Sequence, residues 1–238
     1  MITYDLYLES GPKRKKTMVH VLDLLGCVAV GPTTEDALAV TPDAIRSFRR
    51  FLHRHGDAIE PDAQFETHIV EHVTEGSWLG NGSPYITFAP DFEPIEDPEI
   101  ERLLRRVEWM VTDLASWVAT QSDEQLDDKD VEGRTARAIL LHVLGAQGNY
   151  LSAALDGAKG FGAVHGAAER GEIDLATALY RTIPLMYERV DQTTYEERNA
   201  IRELSSRQYT LHKALRRMLE HDWEHLAELS RRPGGPAG

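Results

Sequence analysis

The chain has 238 residues, 42% hydrophobic and 27% charged, which is typical of a globular protein and not of a disordered or fibrous one. Its 39 acidic and 26 basic residues give a formal net charge of -13, which argues against general nucleic-acid binding. The single Cys27 cannot form an intramolecular disulfide, and no apolar run approaches the roughly 20 residues of a membrane span. The N-terminus also lacks the basic start and apolar core of a signal peptide. We therefore expect a soluble cytoplasmic protein.

The first ninety residues predict a small sheet with one helix. The strand-like segments are bounded by glycine, proline or charged residues and comprise residues 2–8, 17–22, 27–30, 64–73 and 85–88. The basic run at 13–16 predicts a solvated hairpin tip. A helical pattern opens at Thr33 or Thr34 and runs towards His55, with a kink or break expected at Pro42, because proline disrupts a helix interior.

Residues 89–98 are acidic and carry three prolines, which indicates a domain boundary. Helical periodicity dominates beyond this point and predicts four amphipathic helices at residues 99–121, 136–155, 175–190 and 206–229. Between the second and third helices lies a longer, Gly/Ala-rich connection at 156–171. The predicted fold class is α+β, a sheet-plus-helix domain followed by an all-α four-helix bundle. Its parts are a domain at 1–88, a linker at 89–97, the bundle at 98–232 and a disordered tail at 233–238.

Three of the ten histidines predict a metal site. His221 and His225 are four residues apart in a helix, which brings their Cβ atoms to about 5–6 Å on one interior face. His142 lies on the interior face of the second bundle helix and offers a third ring. His68 and His72 have the same spacing in a predicted strand, where four residues span about 13 Å, so these two rings are not expected to share an ion.

Three protein nitrogens leave coordination positions open, which is the pattern of catalytic and not of structural metal sites. Such an ion could acidify a bound water or hold a substrate thiol as a thiolate, and the residues leave both possibilities open. The neighbouring Asp222 and Glu224 are interpreted as solvated charges. His165, in the Gly/Ala-rich connection, is a candidate lid residue over the site.

With one histidine in its second helix and a His-x-x-x-His in its fourth, the C-terminal part resembles the DinB-like family of metal-binding four-helix bundles. The residues that carry this resemblance are Leu141-His142-Val143 and His221-Asp-Trp-Glu-His225, and it covers about residues 98–232. It implies a nickel or zinc ion on His142, His221 and His225, and a homodimer. It also implies a small-molecule substrate, for which a low-molecular-weight thiol is a candidate.

The N-terminal part looks like the HicB-like antitoxin fold. The matching residues are Asp23-Leu24-Leu25-Gly26-Cys27, followed in step by Gly31, Thr33, Glu35 and Ala37; the family usually has proline where this chain has Leu25. The match is strong over about residues 1–56 and weaker over 60–90. A HicB antitoxin blocks a small ribonuclease, so the resemblance implies a protein partner for this domain. No DNA-binding tail of that family is recognisable here.

Two functions follow from these patterns. The first is a metal-dependent enzyme of the DinB-like type, a hydrolase or a thiol-dependent transferase, with a HicB-like accessory domain. The alternative is a non-enzymatic partner-binding or antitoxin-like protein whose bundle is a metal-stabilised scaffold. A third possibility is a bundle that has lost its metal. The first two differ in whether the ion keeps a coordination position that opens onto a cavity.

Overall fold

A computed structural model describes residues 1–11, 16–129 and 133–236. The fold is α+β, as predicted, with a four-stranded sheet, a two-stranded hairpin and long helices. The chain divides into two compact units, one of Met1–Glu93 with Glu203–Tyr209, the other of Pro94–Arg202 with Thr210–Gly238. Of the basic run predicted as a hairpin tip, residues 13–15 lie outside the described part of the chain.

The first unit is built on a four-stranded sheet with one long helix. Its elements are β1 (Ile2–Ser10), β2 (Thr17–Val21), β3 (Val28–Gly31), α1 (Thr34–Arg54) and β4 (Phe65–Val73). The strand order is β3-β2-β1-β4; β1 and β2 pair antiparallel, as do β2 and β3, and β4 pairs parallel to β1. Helix α1 packs on β2 and β3. The core of this unit lies between α1 and the sheet.

Helix α1 runs without interruption through Pro42, so of the kink or break that we expected there, the break is wrong. Its N-terminus is capped by Thr33, whose side chain accepts a hydrogen bond from the Asp36 amide. Buried side chains recur before and after the proline, among them Ala37 and Ile45, and their packing on the sheet offsets the cost of one lost backbone hydrogen bond. The Thr41 hydroxyl also donates to the Ala37 carbonyl across this turn.

Residues 85–88, which we predicted to be a strand, form no strand. The buried carboxylate of Glu9 on β1 accepts hydrogen bonds from the amides of Gly82 and Ser83, which fixes this segment as a loop against the sheet. Phe88 is buried at the end of the loop, with its ring 5.1 Å from that of Tyr7. Alternating side chains alone do not distinguish such a packed loop from a strand.

The second unit is a bundle of four long helices. Its elements are α2 (Asp97–Val118), α3 (Asp123–Asp127), α4 (Ala136–Leu155), α5 (Phe161–Glu169), α6 (Leu175–Asp191), α7 (Tyr195–Arg198) and α8 (Leu211–Ser230). Both α2 and α4 pack against α6 and against α8, which closes the bundle. By length and mean hydropathy α4 could cross a membrane, but half of its apolar window is buried within the protein, as in the core helix of a bundle.

The connections differ more from prediction than the long helices do. The observed bounds of α4 match the predicted 136–155, but the last helix begins at Leu211 and not at residue 206, because a hairpin of β5 (Arg202–Leu204) and β6 (Arg207–Tyr209) precedes it. Helix α5 occupies the Gly/Ala-rich connection. In the described part of the tail, the Gly234 carbonyl accepts a hydrogen bond of 2.7 Å from Trp117 Nε1.

A fully buried cation connects the sheet of the first unit with α1. The guanidinium of Arg49 donates through Nε and Nη2 to the hydroxyl of Tyr4, at 3.0 and 2.8 Å, and through Nη1 to the Ala63 carbonyl at 2.6 Å. Its Cζ atom also lies 5.1 Å from the ring centre of Tyr4 and 4.9 Å from that of Phe65. A buried charge is tolerated only with such partners.

We expect Tyr4→Phe to lower the free energy of unfolding by about 2 kcal/mol, because it leaves two buried N–H donors without their acceptor. Urea denaturation followed by circular dichroism measures the change. Tyr85→Phe is the matched control in the same unit: Tyr85 is 42% exposed, and its loss of a hydroxyl should change the free energy by less than about 0.5 kcal/mol. Equal effects of both substitutions would contradict the role of the Tyr4 hydroxyl.

Candidate metal centre

The three predicted ligands come from two helices that pack against each other. Helix α4 is capped by Thr135, whose side chain accepts from the Ala138 amide, and carries His142 in its second turn. Helix α8 is capped by Thr210 in the same way and carries His221 and His225 one turn apart. Because α4 and α8 are in direct contact, the spacing on α8 presents both of its rings towards α4.

The structure brings the three rings together. His142 Nε2 and His221 Nε2 are 2.9 Å apart, and one ligand nitrogen from each of the three rings lies within 4.8 Å of the others. The ring centres are separated by 4.5 to 5.2 Å. Three nitrogens bound tetrahedrally to one ion at 2.0–2.1 Å would be about 3.3 Å apart. This separation lies between the 2.9 Å that separates the two Nε2 atoms and the 4.8 Å limit for all three ligand nitrogens. The three rings could therefore bind a metal ion.

Burial differs among the three rings. His221 and His225 are 7% and 6% exposed, whereas His142 is exposed. The cluster is thus closed on the α8 side and open to solvent beside His142. No other histidine, cysteine or carboxylate belongs to the cluster within the described ranges.

A buried carboxylate accompanies His221. Asp222 is 0% exposed, so our interpretation of it as a solvated charge is wrong. Its Oδ1 lies 3.5 Å from His221 Nδ1, and its Oδ2 accepts a hydrogen bond of 2.7 Å from Gln147 Nε2 on α4. With Nδ1 facing a carboxylate, the Nε2 atom of His221 is the one left to bind an ion.

A second carboxylate orients His225. Glu228 Oε2 lies 2.8 Å from His225 Nδ1, and both oxygens of Glu228 accept from Arg134 Nη2 at 2.8 and 3.1 Å. No sequence pattern distinguished Glu228 or Arg134 from the other charged residues. The spacing of three between His225 and Glu228 was the only available signal, and such spacings are common in any charged helix.

The electrostatics favour neutral rings at His142 and His221. Burial lowers the pKa of His221 well below its ordinary value, with the neighbouring His225 and His142 acting in the same direction, and burial likewise lowers the pKa of His142. Burial raises the pKa of Asp222 to about 7, against the opposing hydrogen bond from Gln147. Burial also acts to raise the pKa of Glu228, but its bonds with His225 and Arg134 bring it down to about 2. Neutral histidines are the form that binds a metal.

Further polar side chains lie along α8 and beside His221 on α4. Tyr150 on α4 has its ring centre 5.9 Å from that of His221, and its hydroxyl is hydrogen-bonded to Arg217. Burial raises the pKa of Tyr150, so it is a neutral phenol. The buried Glu220 accepts from Arg216 and from Arg217. Only a folded bundle reveals this polar interior, since the sequence of α8 is equally compatible with charges in water.

The other candidate histidines lie apart from the cluster. His165 lies on α5 in a cleft of about 460 Å³ between α4 and α5, where it faces Gly145, and it is not among the clustered rings. His68 and His72 lie in a strand, as predicted, and their rings contact Asp5 and Ser10 respectively. No family model, curated protein or solved structure matches the chain.

We expect Glu228→Gln to weaken metal binding about 10- to 100-fold without changing the number of ions bound at saturation. The substitution removes the charge that orients His225 and makes its ring more basic. Titration with Zn²⁺ against a chromophoric chelator measures the affinity. Glu224→Gln removes the same charge from the same helix, but Glu224 is hydrogen-bonded to none of the three rings, so its effect should be several-fold smaller. Equal losses would assign the effect to net charge alone.

Acidification should release the metal only below about pH 6.5. Because the folded protein holds the pKa of His142 and His221 below the ordinary 6.5, protons compete with the metal for these rings at lower pH than they would for free imidazole. Each of these two histidines binds more protons in the unfolded chain than in the folded one in this range, so their contribution to stability falls as the pH drops through it, whereas Asp222, whose pKa burial raises to about 7, contributes in the opposite direction. Equilibrium dialysis from pH 8 to pH 4 locates the midpoint of release, and a midpoint above 6.5 would contradict the prediction.

Proposed function

We propose that the protein is a divalent-metal-dependent enzyme of the DinB-like type, a hydrolase or a thiol-dependent transferase, in which His142, His221 and His225 hold nickel or zinc. The observation that carries the proposal is the convergence of three imidazoles on one point, two of them with a carboxylate on the opposite nitrogen. Metal-ligating histidines commonly have such an arrangement.

The open side of the cluster supports a catalytic centre over a structural one. Structural zinc sites close the coordination sphere with four protein ligands, whereas catalytic sites use three and leave room for water or substrate. Here the nearby carboxylates of Asp222 and Glu228 are engaged with Gln147 and Arg134, and His142 is exposed. A bound divalent ion would supply Lewis acidity that lowers the pKa of a water or of a thiol at the open position.

Three further side chains have roles in the proposed site. Asp222 and Glu228 hold the rings of His221 and His225 in the tautomer that presents Nε2. Tyr150, a neutral phenol anchored by Arg217, can donate a hydrogen bond near His221. The substrate is a small molecule, for which a low-molecular-weight thiol is the first candidate.

The first unit is assigned as a HicB-like accessory domain that binds a protein partner. Its four-stranded sheet with one packed helix supports this assignment. A cytoplasmic location agrees with the single cysteine, Cys27, which is buried.

The first experiment measures metal content in protein purified without an affinity tag. Wild type should carry about one equivalent of nickel or zinc by elemental analysis, and His221→Ala should lose it, because two ligands are too few for a tight site. His212→Ala is the matched control, since it removes a histidine of the same helix that is outside the cluster and should leave the metal in place. Retention of a full equivalent by His221→Ala would overturn the assignment.

The second experiment tests for an open coordination position. Protein loaded with Co²⁺ is titrated with 2-mercaptoethanol, and an open site should develop a thiolate-to-cobalt charge-transfer band. Ethanol at the same concentration is the control and should produce no such band. A stoichiometric cobalt spectrum that does not respond to thiol would contradict a thiol-dependent reaction, and one that is also insensitive to azide would favour the metal-stabilised scaffold.

A further inference from the structure

Strand β4 is the edge of the sheet in the first unit. The strand order places β1 on one side of β4, and nothing else in the described part of the chain pairs with its other side. Its nine residues, Phe65–Val73, make it as long as the central strand β1. Its outer N–H and C=O groups therefore form a template for a further strand.

The exposure of β4 is unusual for a strand of this composition. Its seven inner residues are exposed whichever face they occupy, including Ile69 and Val70 at 46% each. Natural proteins protect a sheet edge with proline, charged residues (lysine above all), a bulge or a covering element. Residues 65–73 contain neither proline nor lysine. The strand does carry the acidic Glu66 and Glu71 and a bulge at Val70, but its regular part before the bulge is left uncovered and is therefore available for pairing with another chain.

A bulge limits which part of β4 can pair regularly. The register with β1 shifts between Leu6, which faces Ile69, and Tyr7, which faces Glu71, so Val70 is the extra residue. A bulge bends and twists its strand and disrupts the ladder at that point. The uninterrupted segment is Phe65 to Ile69, five residues of regular strand.

These five residues, Phe-Glu-Thr-His-Ile, are complementary to themselves in antiparallel order. With Thr67 on the two-fold axis, Phe65 lies opposite the partner's Ile69, and Glu66 lies opposite the partner's His68. Apolar pairs and Thr–Thr pairs directly across an antiparallel ladder each stabilise it by roughly 0.2–1 kcal/mol, and an imidazole can donate a hydrogen bond to a carboxylate opposite it. Every position in this register thus faces a suitable partner.

We propose that β4 is a homodimerisation edge, at which two copies of the chain pair antiparallel through Phe65–Ile69 and join their four-stranded sheets into one. The occupant is a second copy because each position of the segment faces a suitable side chain of its own sequence: Phe65 faces Ile69, Glu66 faces the imidazole of His68, and Thr67 faces itself. The pairing does not involve the metal ligands, so it stands or falls independently of the proposed function. The net charge of -13 on each copy opposes association, and salt that screens this repulsion should tighten the dimer.

Sedimentation velocity of the full chain tests the interface. Wild type should sediment as a dimer at micromolar concentration, and Thr67→Lys should weaken it at least 10-fold, because two like charges would then face each other on the axis. Thr74→Lys adds the same charge just beyond the strand and should leave the dimer intact. His221→Ala should also remain dimeric. A monomeric wild type, or a dimer insensitive to Thr67→Lys, would overturn the proposal.

Cross-linking tests the register. Only a residue on the axis meets its own counterpart within the 4.4–6.8 Å between Cα atoms that a disulfide requires. Thr67→Cys should therefore form a covalent dimer under mild oxidation, whereas Thr74→Cys should not, and the native Cys27 is buried. Equal cross-linking of both variants, or of neither, would refute this register even if the protein proved dimeric.

Discussion

The chemistry of this protein depends on one constraint, the need of buried imidazoles for polar partners. His221 and His225 are almost fully enclosed in the bundle, and each places Nδ1 against a carboxylate. That contact directs Nε2 towards α4, where His142 completes the cluster. The carboxylates are held in turn by Gln147 and Arg134, so helices α4 and α8 and the segment before α4 all contribute to the orientation of the rings.

This arrangement places polar side chains in the bundle interior along α8. Ionisable groups such as Asp222 and Glu220 lie where a simpler bundle would place leucine, and each is stable only because another buried group satisfies it. Leu215 and Leu226 continue the apolar core on the same helix. The bundle thus combines an apolar core with a polar network, and the network lies around the three rings.

The first unit shows how tertiary contacts override local signals. Proline disfavours a helix interior, yet α1 passes through Pro42 because its apolar face is packed on the sheet on both sides of that residue. The alternation at residues 85–88 favours a strand, yet this segment is a loop. The Glu9 carboxylate accepts hydrogen bonds from the amides of Gly82 and Ser83, just before the segment. In both cases the decisive partner is distant in sequence.

The sequence by itself determined the α+β class, the bounds of α4 and the choice of three histidines as candidate metal ligands. It could do so because helical periodicity and a spacing of four are local properties of the chain. Only the tertiary structure showed that His142 meets His221 at 2.9 Å, that Asp222 is buried, and that Glu228 orients His225. It also produced the β5–β6 hairpin and the exposed edge of β4. The physical reason is that burial and convergence depend on which helices pack together, and periodicity along one helix does not specify its neighbour.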